Sequence, residues 1–428
     1  MLMEDYKVAR QTTYKYNVTV VSSGGNKYAI NGNTQQYVVL FPGSTYEFNQ
    51  DDSSNATHPL RFSETSDGTH NSGSEYTTGV TTSGTPGSAT AFTKIEVTSA
   101  TPVILYYYCS SHSGMGGNVD IPGGSGSGHT DRAAFAGGFA PAANNTIDYI
   151  EISTTGDATD FGDLSQARGD CTGGSSTTRG VQAGGDASPV TDKSAVIDYF
   201  QFATKGNAAD FGDLTQGRTQ LNAGSMSNKT RVIFGPGYVS PGGSQNIIDF
   251  VTIPSMGNAV DFGDRYINDG LRSTGGAASS TRAIFSGGRG PSGNTNVMDY
   301  VTLASTGNST DFGDQTVERR YLAGLSSSTR AVYGAGRGPS PVLNTMDYVT
   351  IASTGNATDF GDLLSAYTNP GSSSNSTRGI FTGGASPESN NTIQYITIAS
   401  TGNATNFGDL TVTRGNCFGS SGSHGGLQ

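Results

Sequence analysis

From about residue 130 to the end of the chain, one unit is written six times. Its opening strand carries an arginine at Arg132, Arg179, Arg231, Arg282, Arg330 and Arg378, at intervals of 47 to 52 residues. Its closing phrase, DFGD in most copies, places a phenylalanine at Phe161, Phe211, Phe262, Phe312, Phe360 and Phe407. A complete copy reads STRAVYGAGRGPSPVLNTMDYVTIASTGNATDFGDL, residues 328 to 363. A unit this short cannot bury a hydrophobic face alone, so the copies must stack and share their cores. Only 33% of the residues are hydrophobic and 14% charged, against 62 glycines in 428 residues. Helical enzymes, coiled coils and charged disordered tails all need more charge or longer aliphatic side chains. Short strands joined by tight turns fit instead, and the fold class expected is all-β.

Each unit contains four short β segments. The first is built of small residues, as in Leu322-Ala323-Gly324-Leu325, and the second is the apolar run after the arginine, as in Ala283-Ile284-Phe285, which ends in a Gly pair. The third alternates apolar and polar side chains from Met346 to Ile351, and the fourth is the DFGDL piece. Gly, Asn and Pro lie between them, where turns need a positive or a fixed φ. A unit of about 50 residues with these marks resembles the kelch repeat, over residues 130–428, with Phe where kelch units usually carry Trp. The resemblance implies a six-bladed β-propeller with one four-stranded sheet per blade. The array opens at a second strand, Arg132-Ala133-Ala134-Phe135, and finishes with a lone first-strand segment, Cys417-Phe418-Gly419-Ser420-Ser421. Pairing the two completes one blade from both chain ends and seals the ring without a free edge.

Ahead of the repeats the pattern changes. Residues 14–122 read as seven or eight strands, among them Tyr16 to Val21, Thr45 to Phe48, Lys94 to Val97 and Val103 to Tyr108, the pattern of a small β-sandwich. Residues 1–13 carry no usable pattern and are expected to form a docking arm, and residues 123–129, GGSGSGH, a flexible linker. The sharpest local signal is Cys109-Ser110-Ser111-His112-Ser113-Gly114-Met115, directly after the strand Leu105-Tyr106-Tyr107-Tyr108. A second histidine, His58, precedes Pro59-Leu60-Arg61-Phe62. Two imidazoles, one thiolate and a weak thioether form the ligand set of a blue-copper site, with soft sulfur suiting Cu(I) and imidazole suiting Cu(II). The region resembles cupredoxins of the plastocyanin and amicyanin type, through the C-x2-H-x2-M spacing, the return strand Gly117-Asn118-Val119 and the HPLRF phrase. That resemblance implies a type 1 copper held by His58, Cys109, His112 and Met115. The alternative is a sandwich kept as a structural module, with a packed thiol and hydrogen-bonded rings. His70 and the polar stretch Ser63 to Ser88 read as a long surface loop.

The recurrent charges read as architecture, because a site needed once does not occur six times. The six opening arginines and the six aspartates of the closing Gly-Asp step (Asp163, Asp213, Asp264, Asp314, Asp362, Asp409) are expected to meet once per blade, or the arginines to satisfy turn carbonyls. GNATDFGD lacks the D-x-D-x-D-G order of a calcium loop, so no calcium is expected there. The repeats contain only His129 and His424, so no nucleophile, base and orienting acid can be assembled and the chain is not expected to be an enzyme. Cys171 and Cys417 fall at equivalent positions and read as small packing residues. What varies between copies is the loop after the Gly pair, and loops on a rigid scaffold carry recognition. Arg289 and Arg337 are the candidates there for contacts to a glycan or protein.

Net charge is −11, and no basic run offsets it, so nucleic acid is not an expected partner. No apolar run approaches the length of a spanning helix, so membrane insertion is not expected. The acidic pair Glu4-Asp5 stands where an export signal would place its apolar stretch, and three cysteines do not build a disulfide framework. The Gly/Ser/Thr/Asn-rich repeats with STGNATDFGDL, behind a cupredoxin-like head, resemble structural proteins of marine bacterial viruses. The resemblance implies a virion surface protein, a fibre, decoration or tail appendage, that contacts other virion proteins and a host-surface glycan or protein in a symmetric array. The competing expectation is an extracellular or periplasmic copper electron carrier fused to a binding propeller.

Overall fold

The structure, a computed structural model, describes residues 12–36, 38–121, 131–187, 193–267, 270–339, 341–385 and 388–427. Most of the arm and all of the linker expected from the sequence lie outside these residues. The chain divides into two compact units, 1–128 and 129–428. Both are β throughout, with three short 3-10 helices among the described residues. Among the described residues no helix is long and apolar enough to cross a membrane.

In the first unit a six-stranded sheet runs in the order Asn33–Thr34, Asn26–Ile30, Thr13–Ser22, Ser44–Asn49, Phe92–Val97, Val80–Ser83. A five-stranded sheet runs Val38–Val39, Gly117–Asp120, Ile104–Cys109, Leu60–Ser63, Glu75–Tyr76. Alternating residues of both sheets, among them Val18, Phe48, Phe62, Ile95, Leu105 and Val119, fill one shared core. The polar stretch after Ser63 is more ordered than the surface loop expected from its composition. It holds a 3-10 turn, Gly68–Asn71, and the strands Glu75–Tyr76 and Val80–Ser83, each paired to a core strand.

Besides two two-stranded hairpins, the described residues of the second unit contain five four-stranded sheets and one three-stranded sheet, all antiparallel. Five of them follow the chain. The sixth joins its ends: Phe418–Ser421 pairs with Arg132–Ala136, with Phe135 opposite Gly419. The three-stranded sheet corrects the expectation of four strands in every repeat. Its missing first strand is the segment around Gly224, which makes only isolated bridges, Ala223 with Gly275 and Ser227 with Val232. A Cβ at Gly224 would lie 2.0 Å from the Gly276 carbonyl oxygen and 2.3 Å from that of Gly324, so backbone crosses backbone there.

Three side-chain patterns tie repeat to repeat, two of them at every junction and the third interrupted where Ala278 stands in place of a serine. The opening arginine lies over the aromatic of its own third strand, as Arg330 over Tyr348 at 4.4 Å, and donates to a carbonyl of the following repeat. Arg179 reaches Ile253, Arg231 reaches Leu303, Arg282 reaches Ile351 and Arg330 reaches Ile398, while Arg378 of the last repeat reaches Ile152 of the first at 2.7 Å. The asparagine after the glycine that precedes each fourth strand accepts the N–H of the preceding repeat's Gly-Asp aspartate, as Asn356 does from Asp314 at 3.0 Å, and Asp157 takes that place in the first repeat, accepting from Asp409 at 3.0 Å. Inner-strand serines form the third pattern: Ser175 donates to the Ser421 carbonyl at 2.7 Å, Ser374 to Ser326 at 2.8 Å and Ser326 to Ala278 at 2.7 Å. In every pattern the last repeat bonds to the first sheet, in the third through Ser421 donating to the Ser374 carbonyl.

These bonds correct the charge pairing expected from the sequence. No opening arginine pairs with a Gly-Asp aspartate among the described residues. The buried ion pairs are Arg168–Asp198, Arg218–Asp249, Arg265–Asp299, Arg319–Asp347 and Arg414–Asp148, every partner with a fully buried side chain. Each links one repeat to the next, and Arg414–Asp148 links the last to the first. At the remaining junction both charges are gone together: Tyr367 stands for the arginine and Gln394 for the aspartate, with the Gln394 amide donating to the Tyr367 hydroxyl at 2.6 Å. The closing phenylalanines wedge between adjacent sheets, 2–3% exposed, each edge-on to an aromatic of the third strand. Burying one such ring contributes about 1.5–3 kcal/mol, so the repeat interface rather than the single sheet is the stabilising element.

Candidate metal centre

Cys109 ends the strand Ile104–Cys109 directly opposite Leu60. Because His58 sits two residues before Leu60, that register brings its imidazole to the thiol. His112 returns from the far side of the turn after Cys109. The Cys109 Sγ lies 3.8 Å from His58 Nδ1 and 3.6 Å from His112 Nδ1. The two rings stand 4.5 Å apart at 48°. The three ligand atoms lie within 4.8 Å of one another. A sulfur at about 2.3 Å and a nitrogen at about 2.0–2.1 Å from one ion, at a trigonal-to-tetrahedral angle, are separated by about 3.5–3.8 Å. The observed separations match that requirement, so the donor set fits a metal held by one thiolate and two imidazoles. Met115 is buried in the same core cluster as Cys109.

The site is built asymmetrically. Cys109 and His58 are buried and His112 is exposed. The His58 carbonyl accepts from the Tyr28 hydroxyl at 2.7 Å and the Gln50 amide at 2.9 Å, fixing the backbone that carries the ring. Burial, with the neighbouring His112 ring, holds the His58 imidazole below its usual pKa. A ring kept neutral presents a lone pair for a metal. Burial and the Cys109 thiol raise the Tyr28 phenol above its usual range, so it stays a hydrogen-bond donor.

The turn from residue 110 to 116 is clamped from outside. Both Asp67 carboxylate oxygens accept from the Gly114 N–H at 2.9 Å, Lys27 donates to the Gly114 carbonyl, and Gln35 donates to the Gly116 carbonyl at 2.6 Å. His70 Nε2 donates to the Cys109 carbonyl at 2.9 Å. These groups were not legible as site residues, because they reach the turn from 39 to 87 positions away in sequence. The one local sign was the Asp67-Gly68 step, whose aspartate takes a left-handed φ of 58°.

Elsewhere the candidates divide. Cys171 and Cys417 are buried free thiols, and burial pushes the Cys171 thiol up to about 11. That keeps it protonated and inert as a ligand. Arg289 lies in a two-residue strand, Arg289–Gly290, and Arg337 is exposed at the equivalent place in the next repeat. No protein-family model matches this chain, and no curated protein does.

Proposed function

We propose that the chain is a non-enzymatic surface protein of a bacterial virus particle, a fibre, decoration or tail appendage. In this reading a cupredoxin-like sandwich docks to neighbouring virion proteins in a symmetric array. A six-bladed propeller then presents its variable loops to a host-surface glycan or protein. The observation that carries the reading is the return of every inter-repeat bond from the sixth repeat to the first, with Arg378 on Ile152 and Arg414 on Asp148. A set of repeats with no free end is stiff without help from a partner, and stiffness is what a loop-borne recognition face needs. Purified full-length protein should adhere to intact cells within a panel of marine bacteria and reduce particle adsorption to the same strain. Uniform failure to adhere sinks the reading.

One observation favours a second role. The Cys109, His58 and His112 donors fit one metal, and thiolate with imidazole supports both oxidation states of copper. When bound, such an ion supplies one-electron chemistry. The buried Cys109 and His58 would hold it from within, and His112 would form the exposed edge. Adding Cu(II) should give an intense thiolate absorption that is lost in Cys109→Ser. A colourless protein removes the copper role and leaves the recognition reading standing.

A further inference from the structure

Six equivalent backbone bridges join the loop after each second strand, which follows a Gly pair in four repeats and Gly235-Pro236-Gly237 or Gly334-Ala335-Gly336 in the other two, to the segment ahead of an inner strand. The bridged pairs are Phe139–Gly415, Gly169–Asp186, Thr219–Tyr238, Arg272–Arg289, Arg320–Arg337 and Thr368–Ala385. Three of the six carry no charged residue and a fourth, Gly169–Asp186, carries a single acid that pairs with Lys193, so the fold does not require arginine there. Two adjacent ones place arginine opposite arginine. Like charges directly across a bridge are destabilising, and here the arrangement occurs twice in a protein whose net charge is −11.

The four arginines are joined in two pairs through their backbones, while the Arg272 and Arg320 guanidiniums lie over the Tyr238 and Tyr321 rings at 4.8 and 5.1 Å. Arg272 and Arg289 exchange backbone hydrogen bonds of 3.2 and 2.9 Å, and Arg320 and Arg337 do so at 3.1 and 2.8 Å. Asn294, paired in register with Arg289, ties the two bridges. Its side-chain oxygen accepts from Arg320 at 2.9 Å and its amide donates to the Arg337 carbonyl at 3.0 Å. Among the described residues no carboxylate forms an ion pair with any of the four. The Arg320 Nε is buried without a hydrogen-bond partner. Burial holds the Arg320 guanidinium below its usual pKa, with Tyr321 opposing the shift and the nearby Arg289 and Arg337 adding to it.

We propose that Arg272, Arg289, Arg320 and Arg337 form a binding site for a sulfate or phosphate group. The guanidinium fork matches such oxyanions bidentately, and a multiply charged group offsets the like charges placed across the two bridges. An extended nucleic acid does not suit the patch, because its further phosphates would meet the acidic remainder of the protein. The group is either free in solution or carried on a glycan. The glycan case rests on the recognition reading above.

The test is calorimetric titration of the full chain with a sulfated heparin-type tetrasaccharide, with its desulfated form, and with inorganic phosphate. Arg320→Thr/Arg337→Tyr copies the native Thr219–Tyr238 bridge, which this fold already accommodates. That variant should be at least as stable as the parent and bind the sulfated probe at least tenfold more weakly. Phosphate binding equal to that of the tetrasaccharide assigns the site to the free anion, and preference for the tetrasaccharide assigns it to a glycan. The inference is overturned by equal binding of the desulfated probe, by undiminished binding in the variant, by a loss of stability in the variant, or by no binding of any probe. If no probe binds yet the protein adheres to cells, this inference fails while the recognition reading stands.

Discussion

The Arg414–Asp148 pair offers the sharpest perturbation, because its partners lie at opposite ends of the repeats and meet only where the last repeat joins the first. Both side chains are fully buried, 3.2 Å apart. Thr411 donates to the same carboxylate through its hydroxyl at 2.5 Å and its N–H at 3.1 Å. Asp148→Gln removes the charge and leaves a guanidinium with no counter-ion, which costs about 3–5 kcal/mol in a buried pair. The neighbouring junction already contains a neutral solution in which Leu364, Tyr367 and Gln394 occupy the equivalent places, with the Leu364 N–H donating to Gln394 at 2.8 Å. The triple variant Thr411→Leu/Arg414→Tyr/Asp148→Gln transplants that solution and should return stability to within about 1–2 kcal/mol of the parent, since a well-packed neutral replacement of a buried pair is often neutral. The assay is urea unfolding followed by circular dichroism, reading the transition of the second unit. If Asp148→Gln leaves that transition unmoved, the pair is not formed in solution. If the triple variant is as unstable as the single one, the equivalence of the two junctions is wrong.

Three further outcomes follow from particular contacts. Asp67→Ala frees the Gly114 N–H and should weaken metal binding about tenfold or more by loosening the turn that carries His112, read by competition with a chromogenic chelator; unchanged affinity removes Asp67 from the site. Gly313 has a φ of 141° and a Cβ there would fall 2.5 Å from the Gly355 carbonyl oxygen, so Gly313→Ala should lose more than about 2 kcal/mol, whereas Gly355→Ala, with open space around its Cβ, should lose less; equal losses refute the close-approach argument. Burial holds the His424 imidazole down to about 4, against about 6.5 unfolded, so the unfolded chain binds the proton first and the stability contributed at high pH is lost between about pH 6.5 and 4. That loss amounts to about 3 kcal/mol, and Asp170, pushed up to about 6 by burial, acts in the opposite direction over nearly the same range. The parent-minus-His424→Gln stability difference isolates the histidine and should slope by that amount; a flat difference contradicts it.

The sequence revealed most where a feature recurs with its spacing intact. The repeat boundaries, the alternation of the third strand and the phase of the two chain ends could all be read from one chain. Cys109 and His112 sit three residues apart at a strand end, and His58 stands beside a strand, so the donor set was visible as well. The buried ion pairs were not. Their arginine lies five residues after the Gly-Asp aspartate in four repeats, moves to Arg265 in the third and becomes Tyr367 in the fifth, which breaks the periodicity that makes a pattern detectable. The conspicuous aspartates contribute a backbone N–H to an asparagine instead of a carboxylate to an arginine. The clamp on the metal turn was hidden for a different reason: Lys27, Gln35 and Asp67 are brought there by strand pairing, which local composition does not encode. The arginine bridges were half legible, since Arg289 and Arg337 stand out in the loops, while Arg272 and Arg320 gain meaning only once the bridge register is known.

Closure of the repeats is the claim on which the rest stands, and a spin-label distance measurement reaches it directly. Thr155, Lys205 and Thr401 occupy equivalent exposed positions in the first, second and sixth repeats, and the protein's own three thiols are buried. Cysteine pairs introduced at 155/205 and 155/401 should give the same distance by pulsed electron resonance, because the sixth repeat neighbours the first as the second does. A 155/401 distance well beyond the 155/205 distance would mean that the array is open and that no sealed platform exists.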